Sequence, residues 1–169
     1  MTTDVQQTPL PSWGRTNGFV AFGDTQAALD DSAVADRLRI LDALDRYAWS
    51  YDERNIPALE NGFTEDAVWE GSVAGEFAID PIKGRRQISE WLQGHMAAQR
   101  DQRRHNILNV VFVSQEERTA ELIAYLLLTS ASAGKVDVVT TGFYRVNFAK
   151  SDTGAWEIEY MFGGFDAPF

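Results

Sequence analysis

The sequence predicts an α+β fold in which helices come first and a run of antiparallel strands follows. Apolar residues recur at spacings of three and four in the first half of the chain, which is typical of amphipathic helices. From residue 104 onward the apolar residues alternate with a period of two, which indicates strands. The turns between these strands are short, so neighbouring strands are expected to be antiparallel. A long twisted sheet of this kind, with helices on one face, can curl into a cone around an apolar pocket.

Three helices are predicted before the long strands. Residues 30–32 offer good N-cap side chains, and a helix from about 32 to 51 follows them. Asn55 predicts the cap of a second, short helix that ends near Gly62, and Gly84 to Met96 predicts the third. The first helix carries two adjacent apolar stripes, Val34-Leu38-Leu41-Ala48 and Ile40-Leu44-Tyr47-Tyr51.

Five segments predict strands. A short strand from Ala67 to Val73 precedes the third helix, and Asp80-Pro81 indicates a loop between them. The other four are the long strands, His105 to Val113, Thr119 to Ser132, Val136 to Phe148 and Ala155 to Phe162. In the last strand, one face is predicted to carry Trp156, Ile158, Tyr160 and Phe162.

Length, charge and composition exclude several classes of protein. The chain has 169 residues, no cysteine and a formal net charge of −10. One domain is expected over residues 32–169, after an irregular N-terminal arm at 1–31. Without cysteine there is no disulfide, thiolate metal site or cysteine nucleophile. The acidic balance argues against nucleic acid as a partner, because the densest basic cluster is only Arg100, Arg103 and Arg104.

The sequence shows no signal for a membrane. The longest apolar run, about 122–133, is shorter than the roughly 20 residues that a spanning helix needs. The first residues lack the basic and apolar regions of a signal peptide. A cytoplasmic protein without a membrane partner is therefore expected.

The chain has two histidines, and His105 is the stronger candidate for proton transfer. If its strand face is concave, the imidazole lies in a pocket where it can act near neutral pH. The alternative is a partly exposed histidine that follows an arginine pair. His95 lies near a helix C-terminus, where a structural role suffices, and no metal-ligand spacing connects the two. His105 shares strand parity with Ile107, Asn109, Val111 and Val113.

Asp52 follows the first helix, which also carries Tyr47 and Tyr51. A carboxylate can orient an imidazole and stabilise its charged form, and tyrosine hydroxyls can donate to a developing oxyanion. The alternative is that Asp52 is a turn residue in water and that the tyrosines are core aromatics.

Three further residues have both a functional and a structural interpretation. Glu70 lies within the short strand, where it is either an acid or base facing a pocket or a charge that protects a sheet edge. Tyr125 and Tyr144 lie within the long strands and either line the cavity or pack in the core.

The order of these features resembles the SnoaL-like branch of the NTF2-like (cystatin-like) superfamily over about residues 33–165. Within that superfamily the chain is most similar to the scytalone dehydratase and bile-acid 7α-dehydratase group. His105 falls where those enzymes place their catalytic histidine. The motifs that carry the resemblance are Tyr47-x-x-x-x-Asp52, Ser50-Tyr51-Asp52, Phe63-Thr64-Glu65-Asp66-Ala67-Val68-Trp69, Lys83-Gly84 with Ile88, and His105-Asn106.

The resemblance implies a cone of three N-terminal helices packed on a curved, mostly antiparallel sheet, in a homodimer or homotrimer. It implies a dehydratase without cofactor or metal, acting on a small hydroxy-carbonyl, polyketide-like or steroid-like compound. His105 would remove a proton α to the carbonyl, Asp52 would hold the imidazole, and Tyr47 or Tyr51 would polarise the carbonyl. The expected substrate contacts are Trp69, Glu70, Asn106, Tyr125 and Tyr144.

Two alternatives stay open for the same pocket. The first is an isomerase or polyketide cyclase, which would share the enolate but expel no water. The second is a non-catalytic subunit or ligand-binding module, since the fold itself does not decide the activity.

Overall fold

The computed structural model describes residues 28–169 of the chain, so the predicted arm at 1–31 lies almost wholly outside the described residues. The described part contains three helices, α1 (Asp31–Asp52), α2 (Ile56–Asn61) and α3 (Arg85–Ala98). Its six strands are β1 (Phe63–Val73), β2 (Phe77–Lys83), β3 (Gln102–Gln115), β4 (Thr119–Ser132), β5 (Lys135–Lys150) and β6 (Trp156–Phe165).

The six strands form one sheet in the order β2-β1-β6-β5-β4-β3. Neighbouring strands are antiparallel except β1 and β6, which are parallel. Helix α1 packs on β3 and β6, and α3 packs on β1, so the core lies between the helices and one face of the sheet. The α+β class predicted from the sequence is therefore confirmed.

Helix α1 buries one of its two predicted apolar stripes along its whole length and the other only towards its C-terminal end, at Leu41 and Ala48. The Asp30 carboxylate caps the helix by accepting a hydrogen bond from the backbone N–H of Ala33 at 2.7 Å. The buried stripe is Ile40, Leu44, Tyr47 and Tyr51. On the other stripe Val34 and Leu38 are 46% and 64% exposed, because a helix on a sheet contacts it along a single face.

The prediction of a loop at Asp80-Pro81 is wrong, because both residues lie within β2. Strand β2 is at the edge of the sheet, and the β1–β2 register shifts opposite this dipeptide, between Trp69 and Gly71. A proline is tolerated at an edge strand or bulge because no ladder hydrogen bond is lost there. Strand β1 also begins earlier than predicted, at Phe63.

A β-bulge in β3 changes which side chains face the helices. The register with β4 shifts between Leu108 and Val111, and Asn109 adopts a φ of +52°. The extra residue exchanges the two faces of the strand, so Val110 and Phe112 face the core. The predicted shared face of His105 with Val111 and Val113 is wrong beyond the bulge for this reason.

A second bulge has the same effect in β6. The β5–β6 register shifts between Asn147 and Phe148, which leaves Glu159 as the extra residue. Ile158 and Met161 are both fully buried on the helix-facing side. Tyr160 and Phe162 therefore lie on the opposite face, contrary to the prediction that they share a face with Ile158.

No helix in the described part is long and apolar enough to cross a membrane.

A buried ion pair joins α1 to the end of β5. The Asp36 carboxylate, with a side chain 7% exposed, accepts from Lys150 Nζ at 2.7 Å and from Arg39 Nη1 at 3.0 Å. The hydrogen bond from Lys150 lowers the pKa of Asp36, and this effect exceeds the opposing effect of burial.

We expect Asp36→Asn to reduce the free energy of unfolding by about 1–3 kcal/mol at pH 7, because the partly buried Lys150 loses its charged partner. Because the pKa of Asp36 is lowered in the folded state, the carboxylate contributes its full stabilisation above about pH 4. This stabilisation is lost as the pH falls through the folded-state pKa of Asp36. Urea unfolding of both proteins between pH 3 and pH 7 measures the difference. The control is Asp42→Asn, which breaks an exposed pair with Arg46 and should cost little, because solvent and salt screen such a pair.

Candidate active site

Asp52 holds His105 by two contacts. Oδ1 of Asp52 lies 2.6 Å from Nδ1 of the imidazole, and Oδ2 accepts the backbone N–H of His105 at 2.8 Å. The two side chains are 6% and 7% exposed. Both carboxylate oxygens are therefore committed to one residue, which fixes the ring and the strand that carries it.

This geometry determines the tautomer of the neutral imidazole. Because Nδ1 faces a carboxylate, Nδ1 carries the proton and donates it to Asp52. The other ring nitrogen, Nε2, then has a free lone pair. His105 lines a cavity, so the arrangement provides a base with its orienting group beside a space where a ligand can bind.

The position of Asp52 opposes a local rule of helix stability. It is the last residue of α1, where the partial negative charge of the helix disfavours a carboxylate by about 0.3–1 kcal/mol. The last turn carries no basic residue to compensate. The two contacts from His105 provide that compensation, so Asp52 is placed for the imidazole rather than for its helix.

Further hydrogen bonds join the end of α1 to the start of β3, a region called here the α1–β3 junction (residues 51–54 and 99–105). Gln102 Nε2 donates to the backbone oxygen of Asp52 at 2.9 Å. Gln99 Nε2 donates to the hydroxyl oxygen of Tyr51, and Arg54 donates to the backbone oxygen of Gln99, both at 3.0 Å. These bonds hold the base and its neighbours in one rigid unit.

The cavity beside His105 lies between α1, α3 and the sheet. The space free of protein atoms is about 510 Å³, including the part that opens to solvent. Most of its surface is apolar, which suits a ligand with an apolar or aromatic body. This inner cavity is lined by Tyr47, Tyr51, Trp69, Ile79, Trp91, Leu92, His95, Gln99, His105, Leu128, Tyr144, Phe165 and Phe169.

Three tyrosine side chains are available as donors in the inner cavity. Burial raises the pKa of Tyr47, Tyr51 and Tyr144, so all three hydroxyls are protonated at neutral pH. The rings of Tyr47 and Tyr144 meet edge to face at 6.1 Å. Tyr51 lies edge-on to His105, with ring centroids 4.7 Å apart. Because Gln99 donates to the Tyr51 oxygen, the Tyr51 proton is free for another acceptor.

Trp69 places an indole N–H in the same wall. Its side chain is buried, and this N–H interacts with the Tyr47 hydroxyl, whose pKa it lowers against the effect of burial. The Trp69 ring packs against Trp91 with centroids 4.7 Å apart.

Two of the predicted substrate contacts lie outside the cavity. Tyr125 is 62% exposed because it alternates along β4 with the buried Ala124 and Leu126. Asn106 follows His105 on β3 and so points to the opposite face, where its amide donates to the backbone oxygen of Leu127. Tyr125 and Asn106 therefore do not line the inner cavity, in contrast to Trp69 and Tyr144.

Both interpretations of Glu70 are also wrong. Strand β1 lies between β2 and β6, so Glu70 is not on an edge strand. Its side chain lies opposite the cavity face that Trp69 occupies, and it accepts a hydrogen bond from Tyr160 Oη at 2.5 Å. Glu70 therefore joins two strands on the outer face of the sheet.

Several lining residues were not predicted. Gln99, Phe165 and Phe169 lie beyond the ends of the predicted elements, so periodicity gives no signal for them. His95, predicted to be structural, is exposed and contacts Trp91 with ring centroids 4.5 Å apart. Its position at the cavity mouth follows from the helical face that it shares with Trp91.

The sequence of residues 32–161 matches the SnoaL-like domain family. The chain belongs to the SnoaL-like family. This assignment confirms the resemblance to the SnoaL-like branch, and the narrower similarity to the scytalone dehydratase group stays a prediction. No curated protein matches the sequence.

Solved structures show the same fold. A protein of unknown function from Mycobacterium tuberculosis is 24% identical, with a TM-score of 0.69, over 80% of this chain and 75% of that chain. A candidate aromatic ring hydroxylase from Novosphingobium aromaticivorans is 27% identical, with a TM-score of 0.65, over 80% of this chain and 92% of that chain. A protein from Nostoc punctiforme with a cystatin-like fold is 17% identical, with a TM-score of 0.65, over 78% and 92%. The predicted cystatin-like architecture is thus confirmed.

We expect nitrogen-15 NMR of the neutral His105 ring to show Nδ1 protonated and Nε2 unprotonated, because Asp52 accepts only from Nδ1. In Asp52→Asn this preference should disappear, since an amide can donate to Nδ1 as well as accept from it. Asp101→Asn, which alters a carboxylate paired with Arg103 instead, is the control. A predominantly Nε2-protonated ring in the unmodified protein would contradict the assignment.

Proposed function

We propose that this protein is a cofactor-independent dehydratase that removes water from a small, largely apolar or aromatic β-hydroxy-carbonyl compound. The observation that carries the proposal is the imidazole of His105, held through Nδ1 by the buried Asp52 at the wall of an apolar cavity. A candidate base with an orienting carboxylate beside a cavity is the arrangement that proton abstraction requires.

In the first step, Nε2 of His105 takes the proton from the carbon α to the carbonyl. The C–H electron pair moves into the new carbon–carbon double bond of an enolate, and the negative charge collects on the carbonyl oxygen. Asp52 stabilises the imidazolium that results, because its carboxylate already accepts from Nδ1.

Protonated donors line the same cavity as His105. Tyr47 is buried on the helix side of the cavity, and burial raises its pKa and keeps its hydroxyl protonated. Fixed donors aimed at a developing oxyanion commonly supply the largest share of rate enhancement in such reactions. Tyr51 supplements Tyr47, because Gln99 donates to the Tyr51 oxygen and the Tyr51 proton is left for another acceptor.

In the second step, the enolate re-forms the carbonyl and expels hydroxide from the β carbon. The imidazolium of His105 returns its proton to that hydroxide, so one molecule of water leaves and the base is regenerated. The products are an α,β-unsaturated carbonyl compound and water, and no oxidant, reductant or metal enters the balance.

The family assignment supports an activity of this general kind and does not select the reaction. The candidate aromatic ring hydroxylase among the similar structures supports an aromatic ligand, as do Trp69 and Trp91 in the cavity wall.

A mass-resolved assay tests the reaction. The unmodified protein is incubated with a panel of aromatic β-hydroxy ketones, and the expected product is lighter by one water. His105→Gln should lower kcat by about 10²–10⁴-fold, since this is what a positioned general base contributes. Arg104→Gln is the matched control, because Arg104 is adjacent in sequence and exposed, with its guanidinium on Glu53.

Two outcomes would overturn the dehydratase proposal. A product with the mass of its substrate would replace it by an isomerase or cyclase in the same cavity. Full activity in His105→Gln would remove His105 from the reaction altogether.

Tyr47→Phe tests the oxyanion donor separately. Removing one donor to a developing oxyanion typically costs about 10²–10³ in kcat, so a loss in this range is expected with little change in KM. Exchange of the α proton in deuterated water should slow in parallel, because the same enolate forms in both reactions. An unchanged kcat would assign the oxyanion to Tyr51 or Trp69 instead.

A further inference from the structure

A second concavity adjoins the inner cavity, and we call it the vestibule. Its space free of protein atoms is about 690 Å³, including open solvent. Three residues, His95, Gln99 and Phe169, line both spaces and so lie between them. The rest of the vestibule lining is Ala98, Arg100, Asp101 and Arg103, at the end of α3 and the start of β3.

Arg103 is the notable side chain of the vestibule. It is only 15% exposed, and its Nη1 is shielded from solvent with no hydrogen-bond partner within the described residues. Its Nε lies 2.6 Å from the carboxylate of Asp101, in a direction that does not form an aligned hydrogen bond. A buried cationic donor left without an acceptor is costly, so this group is poised for an acceptor that binds there.

The position of Arg103 directs it toward the reaction site. It lies two residues before His105 on β3, with no bulge between them, so both side chains are on the same face. Burial raises the pKa of the Tyr51 hydroxyl, and the charge of Arg103 partly opposes that effect, which places the guanidinium near the candidate oxyanion donors.

The charge of the vestibule differs from that of the whole protein. The chain carries a formal net charge of −10, whereas the vestibule lining has two arginines, Arg100 and Arg103, and one carboxylate, Asp101. The next residue, Arg104, pairs with Glu53 on the outer surface at 3.0 Å. The basic cluster of Arg100, Arg103 and Arg104 is thus divided. Arg100 and Arg103 line the vestibule, and Arg104 lies on the outer surface.

We propose that the vestibule binds a carboxylate of the substrate, with Arg103 as the principal contact and Arg100 as a second cation. This inference rests on the proposed function and narrows its substrate class to hydroxy-carbonyl acids. The planar guanidinium fork matches the two oxygens of a carboxylate, and the apolar inner cavity then receives the uncharged body of the same molecule.

Binding of an acid and its amide to the full chain tests the proposal without turnover. Cinnamate and cinnamamide have nearly the same shape and differ in charge, and calorimetry gives both dissociation constants. Cinnamate should bind at least about 10-fold more tightly, which corresponds to about 1.4 kcal/mol. Raising the salt concentration should weaken only the acid.

Arg103→Met should abolish the preference for the acid and leave the affinity for the amide within about two-fold, since it removes only the charge–charge interaction. Arg103→Lys should keep part of the preference, because the charge remains and the fork is lost. Arg104→Gln should keep all of it. Thermal unfolding of each variant checks that the fold is intact.

Three results would overturn the inference. They are equal affinity of the unmodified protein for acid and amide, equal weakening of both ligands by Arg103→Met, and tighter Arg103-dependent binding of phenyl phosphate than of cinnamate. The acid preference should also persist in His105→Gln. If His105→Gln keeps both the preference for the acid and full turnover, the dehydratase proposal is refuted and the carboxylate site stands.

Discussion

The contact between Asp52 and His105 is the interaction on which the rest of the site depends. A buried carboxylate is stable only when its oxygens are hydrogen-bonded, and here both are satisfied by one residue. The backbone contact fixes where β3 begins relative to the end of α1, and the ring contact fixes the proton on the imidazole. The Asp52 carboxylate therefore both fixes the packing of α1 on β3 and orients the imidazole. These two contacts offset the unfavourable position of a carboxylate at the C-terminal end of a helix.

Much of this architecture could be predicted from periodicity. The helices around Ile40 and Ile88 and the long strands β4 and β5 appear where the apolar spacing indicates them, because each buries one continuous face. The residue types and the SnoaL-like resemblance identify His105 as the candidate base and Asp52 as its carboxylate. Their contact depends on the tertiary fold, since the two residues are 53 positions apart in sequence.

The differences between the sequence predictions and the structure have specific physical causes. A bulge leaves no signature in a pattern of period two, so the faces of β3 beyond Asn109 and of β6 beyond Glu159 were inverted. Pro81 favours a loop in the sequence because proline is excluded from central strands. It is tolerated in β2 because β2 lies at the edge of the sheet, and the sequence pattern does not show which strand is at the edge. The vestibule is lined mainly by residues around the connection between α3 and β3, where periodicity gives no signal. Arg103 and Arg104 point to opposite faces of β3 because side chains alternate along a strand, and this can be predicted only when the start of the strand is known.

The base and the most exposed part of the vestibule rim lie on different elements, and this has a consequence for how the protein can change. Asp52 and His105 lie at the end of α1 and on β3, whereas the exposed rim residues Ala98 and Arg100 lie at the end of α3 and just after it. Substitutions in a surface connection generally cost little stability. New ligand preferences can therefore arise in that stretch by mutation or by engineering, while the proton-transfer machinery behind it is inherited unaltered.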